Sequence, residues 1–234
     1  MKRIFMRATW GIYDDSHRIT KRRKKIDRDI VKIVKASKEF DDPFIVYVFG
    51  EDNYKRMKDF GFDCILLNKD PAPFDLIEAQ YRHKLEAIRY AMEEDGCDEV
   101  LHFDWDCVPQ KKLPSDFWDI MGKKESFQAN LQLYHRRKAT WRKEDMRKIP
   151  NGGFVYIRDK SYPGRIIEHW EKNKGPSAEP ALARFSDELV GGWQGLDKYW
   201  DLFEPDFCNL HKMSAFPKDK IETKNLCFRH YQGI

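Results

Sequence analysis

The chain has 234 residues, 41% hydrophobic and 35% charged, with a formal net charge of +4. That balance suits a folded domain with a sizeable core and excludes a disordered or fibrous chain, and no apolar run reaches the roughly 18–20 residues of a membrane span. The opening MKRIFMRATWGIYDD lacks a signal peptide's apolar core, and Cys64, Cys97, Cys107, Cys208 and Cys227 form no Cys-x-x-Cys pair, so a reduced, cytoplasmic protein is expected.

Arg3-Ile4-Phe5-Met6-Arg7 is short and apolar and predicts a first strand. Ile26, Ile30, Ile33 and Val34 recur at helical spacing until Pro43 breaks the pattern. Phe44–Phe49 reads as a buried strand closed by Gly50, and Asn53–Phe60 as a short helix ending at Gly61. Cys64–Leu67 follows as a third strand, with Pro71 and Pro73 marking a loop. Leu76–Glu94 carries Leu85, Ile88 and Met92 on one helical face, Gly96 closes it, and Glu99–Phe103 is a fourth strand. Further on, Phe127–Tyr134 alternates like a strand, Asn151-Gly152-Gly153 is a turn signal, and Phe154–Ile157 is another strand. Tyr162–Trp170 and the neighbourhood of Ala181–Val190 look helical, and the tail has little periodicity. Strands alternating with helices predict an α/β fold: one domain with a mostly parallel central sheet flanked by helices.

The fourth strand runs into His102-Phe103-Asp104-Trp105-Asp106-Cys107-Val108-Pro109. Ligands bind parallel sheets outside the carboxyl ends of the strands, where Asp104 and Asp106 are expected to stand. Two carboxylates there suit Mg²⁺ or Mn²⁺, with substrate phosphates completing the coordination. The plainer alternative is one aspartate capping the turn and the other solvated.

Four segments, in order along essentially the whole chain, resemble GT-A glycosyltransferases, the nucleotide-sugar-dependent enzymes with an Asp-x-Asp motif, nearest to the glycogenin-like, retaining branch. Tyr81-Arg82-His83-Lys84-Leu85 is similar to that branch's segment whose lysine reaches the donor. Asp104-Trp105-Asp106 matches the metal motif. Asn151-Gly152-Gly153 is similar to the strand lining the sugar site, and His230 with Gly233 to a His-x-x-Gly whose histidine is the third metal ligand. The exit of the first strand, with Ala8, Thr9 and Tyr13, resembles the nucleoside-binding loop.

The resemblance implies a single GT-A domain over 1–234, with a nucleotide-sugar-binding half (1–110) and an acceptor-binding and catalytic half (111–234). Asp104, Asp106 and His230 would hold Mn²⁺ or Mg²⁺. Ala8, Thr9, Tyr13, Lys84, Trp105, Asn151, Gly152 and Gly153 would bind the donor, Trp105 without an assigned contact. Asp187 and Glu188 lie where the family keeps a carboxylate near the reacting carbon; as neighbours on a helix they point about 100° apart, so one of them is expected to face the site. Trp193, after Gly191-Gly192, suits stacking on a sugar. The glycogenin-like pattern continues past His-x-x-Gly into Lys-Pro-Trp, which this sequence lacks, so another cation is expected on the diphosphate.

Two basic blocks, His17–Lys25 and His135–Lys143, suggest a polyanionic acceptor. Arg22, Arg23, Lys24, Arg136, Arg137 and Arg142 would meet phosphates and Trp141 would stack on a base, as for a virus-encoded enzyme that glycosylates modified DNA bases in a host cytoplasm. The rival acceptor is a lipid-linked or other anionic glycan at a membrane surface. Outside this class, Asp104-Trp105-Asp106-Cys107-Val108 also fits the haloacid dehalogenase-like phosphatase string, though that motif belongs on a first strand and no downstream acidic pair completes it. A nucleic-acid-binding module would explain the basic blocks but not the ordered motifs.

Overall fold

The computed structural model describes residues 1–9, 30–67, 77–105, 107–109, 112–122, 127–133, 148–173, 201–202, 208–210 and 228–230. Apolar runs with β-branched and aromatic residues form the parallel strands β1 (Arg3–Thr9), β2 (Phe44–Phe49), β3 (Asp63–Leu67) and β4 (Glu99–Phe103). Helical turns α1 at 30–37, α2 (Glu51–Asp59) and α3 (Ile77–Glu93) lie between them in sequence. The chain continues through β5 (Cys107–Pro109), α4 (Phe117–Gly122), β6 (Phe127–Leu133), β7 (Lys148–Ile157), α5 (Tyr162–Asn173), β8 (Asp201–Leu202), β9 (Cys208–Leu210) and β10 (Phe228–His230). The main sheet has the order β3-β2-β1-β4-β7-β6-β8, and a small sheet has the order β5-β10-β9. β7 runs antiparallel to both β4 and β6, while β6 and β8 are parallel.

Alternation along β1 divides the core. Ile4, Met6 and Ala8 pack with Leu85, Ile88, Ala91 and Met92 of α3, the stripe that the sequence placed on one face, and with Ile167 of α5. On the other face Phe5 packs with Ile30, Ile33, Met57, Phe103, Phe117, Trp118 and Phe228. Helix α2 stops because Gly61 takes a φ of 89°: its N–H donates to the Lys58 carbonyl at 2.8 Å, and that of Phe62 to Met57 at 3.2 Å. This pairing meets the orphan carbonyls of a helix end, and only glycine adopts that φ without cost.

The expected strands match β1 to β4 within one or two residues at each end. Asn151-Gly152-Gly153 is a correction. The three residues lie inside the ten-residue strand β7, not in a turn. Across from them β6 pairs Ala129 with Val155 but the next residue, Asn130, with Asn151, so residues 152–154 step out of that ladder. The glycines mark a bulge within a strand, which uses the same lack of a side chain as a turn does. The expected helices near Ile26 and Ala181–Val190 fall wholly or partly outside the described residues.

At the amino ends of the strands, buried Glu99 accepts the Tyr156 hydroxyl and Arg3 Nε, each at 2.6 Å. Burial, then the bond to Glu99, pushes the Tyr156 hydroxyl well above its ordinary pKa. Glu99→Ala strands the Tyr156 hydroxyl and leaves Arg3 to Asp119 and water, and is expected to cost about 2 kcal/mol of stability, against about 1 kcal/mol for Tyr156→Phe, as read from urea unfolding.

Candidate active site at the carboxyl ends of β1 and β4

From β1 the sheet extends to β2 and β3 on one side and to β4 on the other. The strand order therefore reverses between β1 and β4, and it is in the crevice outside the carboxyl ends at such a point that open α/β sheets bind ligands. Thr9 closes β1 at this crevice and Asp104 follows β4 directly.

Beyond Phe103 the chain turns sharply, with the Cys107 N–H donating to the Asp104 carbonyl at 2.9 Å. The turn is fastened to β1 from below. Fully buried Arg7 donates through Nη2 to the Cys107 carbonyl, and its guanidinium carbon lies 4.3 Å from the Phe103 ring centroid and 4.8 Å from that of Trp105. The Trp105 indole N–H donates to the Ala8 carbonyl at 3.0 Å, and its ring meets Phe62 edge-on. Trp105, whose place between two acids the sequence leaves without a contact, is thus a strut from the motif to the central strand.

Lys84 comes from the opposite face. It lies one turn before Ile88 on the core stripe of α3, so its side chain is buried and its head meets Asp104 just past the end of β4. Nζ stands 2.7 Å from one Asp104 carboxylate oxygen and 2.9 Å from the other. Asp104 is about one-third exposed, with its side chain at 32% of full accessibility. His83 beside Lys84 stacks on Phe49 at 4.1 Å and pairs with Glu86 at 3.2 Å, which helps fix this turn of α3.

Between these groups lies His102, which the sequence reading did not single out. It is buried on β4, with Nε2 4.0 Å from the nearer Asp104 oxygen. Burial, followed by the charges of Lys84 and Arg7, holds its imidazole well below the usual histidine range, so it is neutral at pH 7. Its Nδ1 and the Thr9 hydroxyl meet no hydrogen-bond partner among the described residues. A histidine inside the apolar run Glu99–Phe103 was the available signal; Arg7, another missed residue, looked like a polar strand end.

Two other expected segments converge here as backbone. Phe154 pairs with Phe103, so one step further along each chain stand Gly153 and Asp104. The antiparallel pairing of β10 with β5 sets His230 opposite Cys107, the residue after Asp106. Tyr13, Asp106, Arg136, Arg137, Trp141, Asp187, Glu188 and Trp193 lie outside the described residues, as do the side chains of Asn151 and His230. Among the described residues no three His, Cys, Asp or Glu side chains group to hold a metal. Also among them, no helix is long and apolar enough to cross a membrane.

No family model matches the sequence, and no curated protein matches it. Solved structures do. A glycosyltransferase involved in glycosylation of the major capsid of PBCV-1 superposes with a TM-score of 0.55 at 11% identity, covering 100% of this chain and 94% of that one. Mouse xyloside xylosyltransferase 1, in its apo form, gives 0.52 at 7% identity over 99% and 97% of the two chains. The bifunctional glycosyltransferase WbbM gives 0.50 at 12% identity, with 100% of this chain covering 46% of that longer one. The fold is therefore the mixed α/β, GT-A type found in nucleotide-sugar transferases.

Because folded His102 refuses a proton that the unfolded chain accepts near its ordinary value of 6.5, stability should fall as pH drops below that value. The slope is about 1.4 kcal/mol per unit until the depressed folded pKa is reached. His102→Leu is expected to flatten the slope between pH 6.5 and pH 5 in denaturant unfolding of the metal-free protein.

Proposed function

We propose that the chain is a metal-dependent glycosyltransferase, moving a sugar from a nucleotide-diphosphate donor to a hydroxyl acceptor. The observation that carries the proposal is Asp104, held by Trp105 and Arg7 at the crevice between β1 and β4 of a GT-A sheet, with Lys84 on its carboxylate. The position also favours this reading over a phosphatase, whose Asp-x-Asp belongs on a first strand; here it follows the fourth.

The available donor set fits Mn²⁺ or Mg²⁺. Asp104 and Asp106 supply hard oxygens, and His230 belongs to the strand paired beside them. Mn²⁺ tolerates imidazole among oxygens better than Mg²⁺ does, so Mn²⁺ is the first choice. When bound, the ion supplies charge neutralisation to the departing diphosphate. The protein's own groups do the rest. Lys84 brings an ammonium to the phosphates, and the rigid turn keeps Asp104 in register with them. Gly152 and Gly153 bring bulged backbone that carries no side chain, which lets a sugar approach closely. Asp187 or Glu188 acts at the reacting centre, taking the acceptor proton if the sugar inverts. In this reading the motif belongs to the glycogenin-like branch.

For the acceptor we favour nucleic acid carrying a modified base, met by Arg136, Arg137 and Trp141, with Trp193 on the sugar. Steep salt dependence and retention on DNA are the expected results. Retention on anionic liposomes instead would assign a lipid-linked glycan. The similar structures widen the test, since one acts in capsid glycosylation and another on a xyloside.

A panel of nucleotide sugars screened for Mn²⁺-dependent hydrolysis tests the class and identifies the donor. Asp104→Asn and Asp106→Asn are each expected to lower the rate at least about 10²-fold. Wild-type rates in both variants would remove the mechanism.

A further inference from the structure

We propose that Lys84 occupies the place of the divalent cation on Asp104 until a diphosphate draws it away, which couples metal loading to donor loading. The inference rests on the reading of Asp104 as a metal ligand.

Lys84 Nζ lies across both carboxylate oxygens, at 2.7 and 2.9 Å. A small divalent ion bonds such oxygens at about 2.1 Å and needs the same lone pairs. Two cations on one carboxylate repel, and the divalent charge doubles the repulsion. Water hydrates the ammonium little, because the Lys84 side chain is only 6% exposed. The backbone of Lys84 cannot retreat, since Leu85 and Ile88 pin this turn of α3 in the core. Relief must come from the flexible four-carbon stem, which can swing the ammonium to another acceptor. A diphosphate offers both acceptors and charge, so its arrival releases Asp104 to the metal while the ammonium stays in the site. On this account the pair is not a static bridge but an exchange between two cations.

The test measures Mn²⁺ binding from the free-ion EPR signal, with Mn²⁺ alone and with inorganic pyrophosphate. Wild type, Lys84→Met and Lys84→Arg are compared, each checked for folding by its thermal melt, with Lys84→Gln replacing Lys84→Met if that variant does not fold. Lys84→Met should bind Mn²⁺ alone about tenfold more tightly than wild type, and Lys84→Arg within about twofold of it. Pyrophosphate should tighten Mn²⁺ binding more in wild type than in Lys84→Met. If all bind Mn²⁺ but Lys84→Met does so no more tightly, the exchange is overturned and the metal reading stands. If none binds Mn²⁺ with or without pyrophosphate, the metal reading fails and the exchange with it.

Discussion

The crevice depends on how the turn after β4 is tied to β1. Parallel strands exchange hydrogen bonds only along their length, so the residues just past their ends need turn and side-chain bonds to tie them to the sheet. Here Arg7 enters from beneath, between the rings of Phe103 and Trp105, and reaches the Cys107 carbonyl. Trp105 returns the tie by donating to Ala8. A guanidinium is suited to this position because it is planar, stacks on aromatic faces and keeps donors in its plane. The same turn directs β5 away from the main sheet to pair with β10, so the placing of the second sheet follows from the tie.

The tie also shapes the local field. Arg7 approaches from one face of the sheet and Lys84 from the other, so two buried cations converge where β1 and β4 end. Burial keeps His102, between them, from becoming a third. Among the described residues, Asp104 answers Lys84 with its carboxylate.

The sheet was legible because its first four strands are short, mostly apolar runs, and β1, β2 and β4 are buried on both faces, as that pattern implies, while β3 is a half-buried edge. Leu85, Ile88 and Met92 likewise announced the inner face of α3. The glycines at 152 and 153 misled because a bulge and a turn draw on the same residue, and only the partner strand tells them apart. Asp104 and Lys84, named from separate motifs, lie in contact in the fold. Arg7 and His102 were not legible, since a buried polar residue in a strand becomes meaningful only when its neighbours across the sheet are known. Nor could spacing reveal that β10 pairs with β5, because that contact joins distant parts of the chain.

That pairing has a consequence for assembly. β1 to β4 are joined through nearby crossovers, whereas Cys107 and His230 stand more than a hundred residues apart. Closing so long a loop costs entropy before any contact rewards it, so such pairings form late and slowly. A chain still on the ribosome can thus build the β1–β4 crevice while β5 remains an uncovered edge, open to the wrong strand. β10 both covers that edge and brings the backbone of His230 beside the motif, so a chain not yet extended to β10 lacks both.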